Sequence, residues 1–167
     1  IFSQSFKDLT ERPTYNPIKI EKPIIFDGAV DNQEWSKAQI ATNFNGSGTF
    51  QGQPSDLRTE ARLFYDEKNI YVGFIAYVDK EDLRYSITKR DNLDEKDDRV
   101  WINIDAFDDE ALTYGIGVSA GGVQIDGRAT YGFDKSLDLI YESKVSVHDD
   151  RYEAELIIPF SSLRYSL

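Results

Sequence analysis

The chain has 167 residues, 40% of them hydrophobic and 13% aromatic, which is enough apolar material for one domain with a sizeable core. Its net charge of −11 argues against nucleic acid and anionic membranes as partners, because both attract basic proteins, and suits neutral glycans, cations or basic partners. The absence of cysteine excludes disulfides and thiolate chemistry.

The first third of the chain has little regular periodicity. Residues 1–22 are predicted to form an extended lead-in segment, and residues 24–26 a short strand that ends at the turn sequence Asp27-Gly28. Residues 43–56 are rich in Gly, Ser, Asn and Gln, and this composition predicts a long exposed loop.

A short helix signal lies between the first strand and the loop. Asp31 and Glu34 have the spacing of a capping box, in which two side chains satisfy the free N–H groups at the start of a helix. A helical turn at this position would direct Trp35 into the core.

A β-hairpin is the next predicted element. Apolar and polar side chains alternate over residues 61–65, a turn sequence occupies residues 66–69, and residues 70–78 form the return strand. The return strand is apolar on both faces, which is typical of a strand in the middle of its sheet. A charged connection over residues 79–98 follows, with one helical turn near Asp82.

Residues 99–107 show the most regular alternation in the chain. A half-buried strand has this period of two, with one face toward the core and the other face outward. The predicted core face is formed by Val100, Ile102, Ile104 and Ala106, and the opposite face by Trp101, Asn103, Asp105 and Phe107.

The second half of the chain continues as short strands separated by turn residues. Pro159 ends the last strand, because proline has no N–H to donate to a sheet. The predicted strands are 112–118, then 123–125 between turns at 121–122 and 126–127, and finally the pair 142–147 and 152–158.

Many short strands, without the long helical segments that parallel sheets require, indicate an all-β fold. We predict a two-sheet antiparallel β-sandwich over residues 23–167, with one or two short helical turns. Its predicted core comprises Phe26, Trp35, Leu63, Val72, Phe74, Val100, Ile102, Ile104, Leu156 and Ile158.

Catalytic signatures are missing from the sequence. His148 is the only histidine and lies in a polar turn, so neither a Ser-His-Asp set nor an ordinary zinc site is indicated. No glycine-rich phosphate-binding motif occurs. The 30 acidic residues do not single out a carboxylate pair for glycoside hydrolysis, so a glycosidase is the least favoured function.

Residues 91–98 are the densest group of oxygen ligands suited to calcium. They do not form an EF-hand, because Lys96 stands where that loop needs glycine and Ile102 where it needs glutamate. The alternative is a solvated run of charges. If a structural calcium ion binds, its predicted ligands are Asp97, Asp98 and Asp105.

Sugar binding requires exposed aromatic rings beside polar side chains, because apolar sugar C–H surfaces stack on rings while hydroxyls form hydrogen bonds. Trp101, Asn103 and Asp105 provide this chemistry on one face of a strand, and Tyr71 and Tyr77 are expected on the same face of a neighbouring strand. The alternative is that this face is buried beneath a loop.

Four segments, in order along the chain, resemble the signatures of carbohydrate-binding module family 9-like domains. They are the Asp-Gly and Asp-x-x-x-Trp segment at residues 25–38, the hairpin over 63–74, the strand over 98–105 and the closing strand over 152–160. The resemblance covers roughly residues 20–166.

A subgroup of this family resembles the chain more closely. Similar motifs occur there at Arg90-Asp91, 105–109, 122–127 and 163–165. In this subgroup the domain precedes a large region of unknown function that is predicted to be an outer-membrane β-barrel. The resemblance therefore implies that the chain is part of a longer envelope protein, with this barrel as a C-terminal partner in the same polypeptide.

The family resemblance implies a β-sandwich, often with bound calcium, and glycan binding between two tryptophans. Trp35 belongs to the structural signature, which leaves Trp101, so the two-tryptophan clamp does not carry over to this chain. The subgroup also has tryptophan near two positions that Leu137 and Tyr141 occupy in this chain.

The expected function is a non-catalytic glycan-binding module within a larger envelope protein for carbohydrate binding or catabolism. Polysaccharides or oligosaccharides are the expected partners, without nucleic acid, and the expected location is the periplasm, the outer membrane or the outside of the cell. The alternative is a periplasmic interaction or gating domain of an outer-membrane barrel, without affinity for sugar. Whether the full-length protein is a glycoside hydrolase is left open.

Overall fold

A computed structural model describes residues 14–30, 33–45, 53–108, 111–130 and 132–163. These residues form nine strands and two short 3-10 turns, at Trp35–Lys37 and Phe160–Ser162. The described part of the chain has no helix of the length and hydropathy needed to span a membrane. The strands are β1 (Ile18–Lys19), β2 (Thr59–Tyr65), β3 (Asn69–Tyr77), β4 (Arg99–Ile104), β5 (Thr113–Ser119), β6 (Gln124–Ala129), β7 (Phe133–Asp134), β8 (Glu142–Val147) and β9 (Arg151–Pro159).

The strands form two sheets, which confirms the predicted all-β sandwich. One sheet has the order β1-β2-β3-β9-β8 and the other the order β4-β5-β6-β7. Their pairings are antiparallel except that of β1 with β2, which is parallel. The predicted lead-in, residues 1–22, thus adds an edge strand to the first sheet, while residues 1–13 lie outside the described residues.

The main core lies between the sheets and takes side chains from both. Strand β3 is central in its sheet, as its two apolar faces predict, and its Val72 is fully buried. Most of the predicted core residues belong to this cluster, either buried (Val72, Phe74, Val100, Leu156, Ile158) or partly buried against it (Leu63, Ile102, Ile104).

Trp35 lies in a second core, on the outer face of the five-stranded sheet. Its indole is fully buried and stacks on Phe64, with ring centroids 5.1 Å apart. Gly73 makes room for it, since a β-carbon added there would lie 3.1 Å from the indole. The second core contains Val30, Trp35, Ala38, Phe64, Tyr71 and Ile75.

Glu155, on β9, joins the N-terminal segment to the sheet. It is fully buried, and one carboxylate oxygen accepts the N–H groups of Asp27 at 2.9 Å and Gly28 at 2.6 Å. The other oxygen accepts the indole N–H of Trp35 at 3.0 Å. Glu153, two residues earlier, accepts the N–H of Val30 at 2.6 Å. The two segments that carry the first and last signatures of the resemblance are therefore partners in one hydrogen-bond network.

The pH dependence of stability provides a test of this network. Burial raises the pKa of the Glu155 carboxyl above its ordinary value of 4.5, against the opposing effect of its N–H donors. A carboxyl with a raised pKa binds more protons in the folded chain, so its contribution to stability falls as pH rises through the folded-state pKa. Glu155→Gln removes this titration. We expect the stability advantage of the wild type over Glu155→Gln, measured by urea unfolding between about pH 4 and about pH 8, to shrink as pH rises. An advantage that grows with pH would contradict this assignment.

Three predictions about local structure are wrong. Residues 24–26 are not in a strand, and Phe26 is half-buried beneath the Lys144 ammonium group rather than in either core. Asp126 and Gly127 form no turn, because they lie inside β6, whose Asp126 side chain is buried while Phe133 covers Gly127.

Two further predictions fall partly on residues outside the described ranges. Asp31 of the expected capping box is outside them, and the Glu34 carboxylate accepts the N–H of Ile25 at 3.2 Å. Residues 46–52 of the expected loop are also outside them, and the flanking residues meet in a single bridge between Asn45 and Pro54.

Candidate functional site

Trp101 lies on the outer surface of the four-stranded sheet. It belongs to β4, at the edge of that sheet, where Val100 points into the main core and Trp101 and Asn103 point outward. Trp101 is 44% exposed, so the interpretation of this face as a buried one is wrong.

The surface beside Trp101 is made of glycines. Trp101 is paired with Gly117 of β5 and Asn103 with Gly115, which is itself paired with Gly127 of β6. Glycines at these positions leave the sheet without side chains, so that other groups can approach its backbone.

Phe133 of β7 covers part of this glycine surface. β-Carbons added at Gly115 and Gly127 would lie 2.9 Å and 2.8 Å from its ring. The ring centroid is 5.7 Å from that of Trp101, with an angle of 36° between the ring planes. Trp101, Asn103 and Phe133, together with the glycines beneath them, form what we call the Trp101 platform.

The sequence interpretation found two members of this platform and missed the third. Trp101 and Asn103 follow from the alternation along β4, whereas Phe133 stands in a strand of two residues that has no period to detect. The sequence signal that points to Phe133 is the recurrence of glycine at Gly115, Gly117 and Gly127. Glycine inside a strand indicates close approach of another group.

Of the other predicted sugar-binding residues, one lies beyond the end of β4 and two lie in the other sheet. Asp105 follows the end of β4, and its carboxylate accepts the N–H of Phe107 at 3.1 Å. Tyr71 and Tyr77 belong to β3, in the other sheet, which corrects the expectation that they share a face with Trp101. Tyr71 is only 1% exposed, and its hydroxyl donates to the Asp66 carboxylate at 2.7 Å.

Tyr77 lies in a different surface feature, a polar groove at one end of the sandwich. The Arg58 guanidinium covers its ring at 4.7 Å, and Asp98 and Arg84 also line the groove. This groove has an aromatic ring and polar groups, but the ring is already covered by a protein cation.

The three predicted calcium ligands do not meet at one point. Asp97 accepts the N–H of Asp94 at 3.0 Å, and Asp98 accepts the N–H of Arg84 at 2.8 Å, so both carboxylates serve the connection before β4. Asp105 lies beyond the other end of β4, about 20 Å away at the usual rise of a strand. A single ion therefore cannot contact all three, and calcium binding stays a prediction.

A different group of carboxylates converges in the structure. Asp91, Asp126 and Asp138 each place an oxygen within 4.8 Å of the others. Burial raises the pKa of Asp126, which is fully enclosed, while hydrogen bonds from Leu139 and Arg90 act in the opposite direction. Among the described residues, this trio is the arrangement that suits a metal ion by distance alone.

Solved structures share the fold of this chain. A carbohydrate-binding module of family 9 from Caldicellulosiruptor kristjanssonii, in complex with cellotriose, is 19% identical, with a TM-score of 0.59 and coverage of 87% of this chain and 67% of that one. Its glucose complex gives a TM-score of 0.60, 19% identity and coverage of 92% and 72%. A proposed carbohydrate-binding protein from Bacteroides uniformis gives 0.58, 10% identity and coverage of 87% and 74%.

Comparison with curated proteins finds no match. The model of the carbohydrate family 9 binding domain-like family, by contrast, matches residues 25–166. The chain therefore belongs to the carbohydrate family 9 binding domain-like family, whose members are non-catalytic binding modules.

Proposed function

We propose that the chain binds oligosaccharides on the Trp101 platform. The observation that carries this proposal is the half-exposed indole of Trp101 beside the ring of Phe133, above glycines that let both rings lie close to the sheet. A single exposed apolar side chain is common on proteins, whereas two adjoining aromatic rings form a continuous apolar surface of the kind that ligands use.

The chemistry of the platform suits a sugar ring. The indole face stacks on the apolar C–H surface of a pyranose, and the exposed Asn103 amide provides both a donor and an acceptor for hydroxyls. Because the angle between the Trp101 and Phe133 rings is 36°, they form an open, bent surface rather than two parallel walls. A sugar would rest on this surface instead of being enclosed between two tryptophans.

Neutral glycans are the proposed ligand class. Two structures that share the fold hold cellotriose and glucose, both uncharged. The net charge of −11 would repel anionic polysaccharides and leaves neutral ones unaffected. We therefore infer a preference for glucose-containing or similar neutral saccharides.

Loss of the indole is the direct test. Trp101→Ala is expected to weaken binding of cellotriose, or of the glycan found to bind best among cellulose, xylan and peptidoglycan fragments, at least tenfold. A tenfold loss corresponds to about 1.4 kcal/mol of binding free energy, within the range of an aromatic contact at the centre of a site. Isothermal titration calorimetry measures this change.

Phe44→Ala provides the matched control. Phe44 is 43% exposed, almost the same as Trp101, but lies outside the platform, so its loss should leave affinity unchanged. Tyr77→Ala tests the groove at the end of the sandwich instead of the platform, and binding on the platform predicts that this variant keeps its glycan affinity. Equal affinity of Trp101→Ala and the wild type would refute the platform, and no heat with any glycan would refute glycan binding.

The cellular setting is a further part of the proposal. Resemblance to the subgroup that precedes an outer-membrane barrel, together with the acidic composition, supports an envelope protein that acts in the periplasm, at the outer membrane or outside the cell. The reading frame downstream of Leu167 tests it, because a barrel-forming region should follow. If a barrel follows and no glycan binds, the interaction or gating function becomes the better explanation.

A further inference from the structure

Three carboxylates meet beside the four-stranded sheet. Asp126 comes from β6 and is fully buried, Asp91 precedes β4 and is partly buried, and Asp138 precedes β8 and is exposed. Calcium takes six to eight oxygen ligands at about 2.3–2.6 Å, and carboxylates are its usual protein ligands. Taken alone, the trio would suit the calcium that the family resemblance implies.

A protein cation already occupies the centre of this trio. The Nε of Arg90 is 2.7 Å from Asp126 Oδ1, 3.7 Å from Asp91 Oδ2 and 3.8 Å from Asp138 Oδ1. The Nη2 of Arg90 also donates to Asp126 Oδ1, so the guanidinium holds the most buried of the three carboxylates by two hydrogen bonds. A divalent ion placed among these oxygens would lie within a few ångströms of this positive charge.

Two further N–H donors of Arg90 are also used. Nη1 donates to Gln124 Oε1 at 2.9 Å and Nη2 to the carbonyl oxygen of Leu139 at 2.6 Å, while the guanidinium plane covers the Tyr141 ring at 5.1 Å. These contacts come from β6 and from the segment before β8. Arg90 is therefore fixed in position by its surroundings and is not a side chain that swings aside at low cost.

Two of the carboxylate oxygens also accept backbone N–H groups. Asp126 Oδ2 accepts the N–H of Leu139 at 2.5 Å, and Asp91 Oδ1 accepts the N–H of Asp126 at 2.8 Å. Lys135 adds a second positive charge, since its ammonium group donates to the Asp91 carbonyl at 3.2 Å. Calcium would have to share these oxygens with their N–H donors, lie near the Lys135 ammonium group and displace the guanidinium.

From these contacts we infer that Arg90 is the resident cation of the Asp91–Asp126–Asp138 cluster, in the place where a calcium ion would otherwise bind. The residues present do not fit calcium while Arg90 is there. The cluster becomes a divalent-cation site when the guanidinium is removed, because three converging carboxylates then lose the cation at their centre.

Arg90→Ala tests this inference directly. Without calcium the variant should melt well below the wild type, and calcium chloride at about a hundredfold excess over its dissociation constant should raise its melting temperature by roughly 5–10 °C. Adding Asp126→Asn to Arg90→Ala should abolish most of this response. Arg90→Lys, which keeps a positive charge, should show none.

Arg90→Ala can fail to fold, so the wild type and Asp138→Asn are titrated in parallel. Asp138 is largely exposed, and both of these proteins retain Arg90. Their responses to calcium should be the same, whatever other calcium sites the chain has. A wild-type response that Asp138→Asn removes would overturn the inference. A folded Arg90→Ala that calcium does not stabilise would also overturn it.

Discussion

Glu155→Ala is expected to lower the free energy of unfolding by about 3–5 kcal/mol, the range found when one partner of a buried ionic or hydrogen-bonded network is removed. The substitution removes the acceptor of three hydrogen bonds, two of them buried: those from the N–H groups of Asp27 and Gly28 and from the indole N–H of Trp35. It also leaves a cavity beneath the N-terminal segment. Urea unfolding monitored by tryptophan fluorescence measures the loss.

Glu142→Ala is the matched control for this experiment. Glu142 stands on the neighbouring strand β8 and is exposed, so its loss should change stability by less than about 0.5 kcal/mol. Trp35→Phe removes the indole donor and retains a ring, and its combination with Glu155→Ala should cost less than the sum of the two single substitutions. Full additivity would mean that the carboxylate and the indole are not coupled, contrary to the structure.

The network of Glu155 shows which parts of the fold a single sequence can reveal. The hairpin of β2 and β3 is predictable because its period and its turn are local, and Asp66 accepts the N–H of Asn69 at 2.7 Å within that turn. The position of Trp35 outside the sandwich is not predictable in this way. It depends on Glu155, 120 residues later in the chain. From the sequence alone a glutamate is expected to be exposed, whereas Glu155 is buried.

The same distinction explains the success and the failure at the candidate site. Trp101 and Asn103 can be placed on an outward face because alternation along one strand assigns faces. Alternation places Tyr71 wrongly because it does not show to which sheet a strand belongs, and β3 and β4 belong to different sheets. The Asp126-Gly127 pair predicts a turn because Asp-Gly usually forms one, whereas here tertiary contacts hold both residues within β6.

Gly117→Ala is expected to lower the free energy of unfolding by about 3 kcal/mol, at the upper end of the usual cost of overpacking. A β-carbon at this position would lie 2.4 Å from both the Trp101 β-carbon and the carbonyl oxygen of Val100. Neither atom is at the end of a flexible side chain, so β4 must move away from β5. Thermal and urea unfolding measure the loss, and Gly132→Ala, which has no atom within 4 Å of its new β-carbon, is the control.

Gly115→Ala separates damage to the platform from damage to the sheet. Its β-carbon would meet the Phe133 ring at 2.9 Å and the Asn103 amide oxygen at 3.3 Å, both of them side-chain atoms that can move. We therefore expect a smaller loss of stability than for Gly117→Ala, together with weakened glycan binding because Phe133 and Asn103 are displaced. If Gly115→Ala were to bind glycan as tightly as the wild type, the glycines would serve only the packing of the sheet, and the proposed site would have to lie elsewhere.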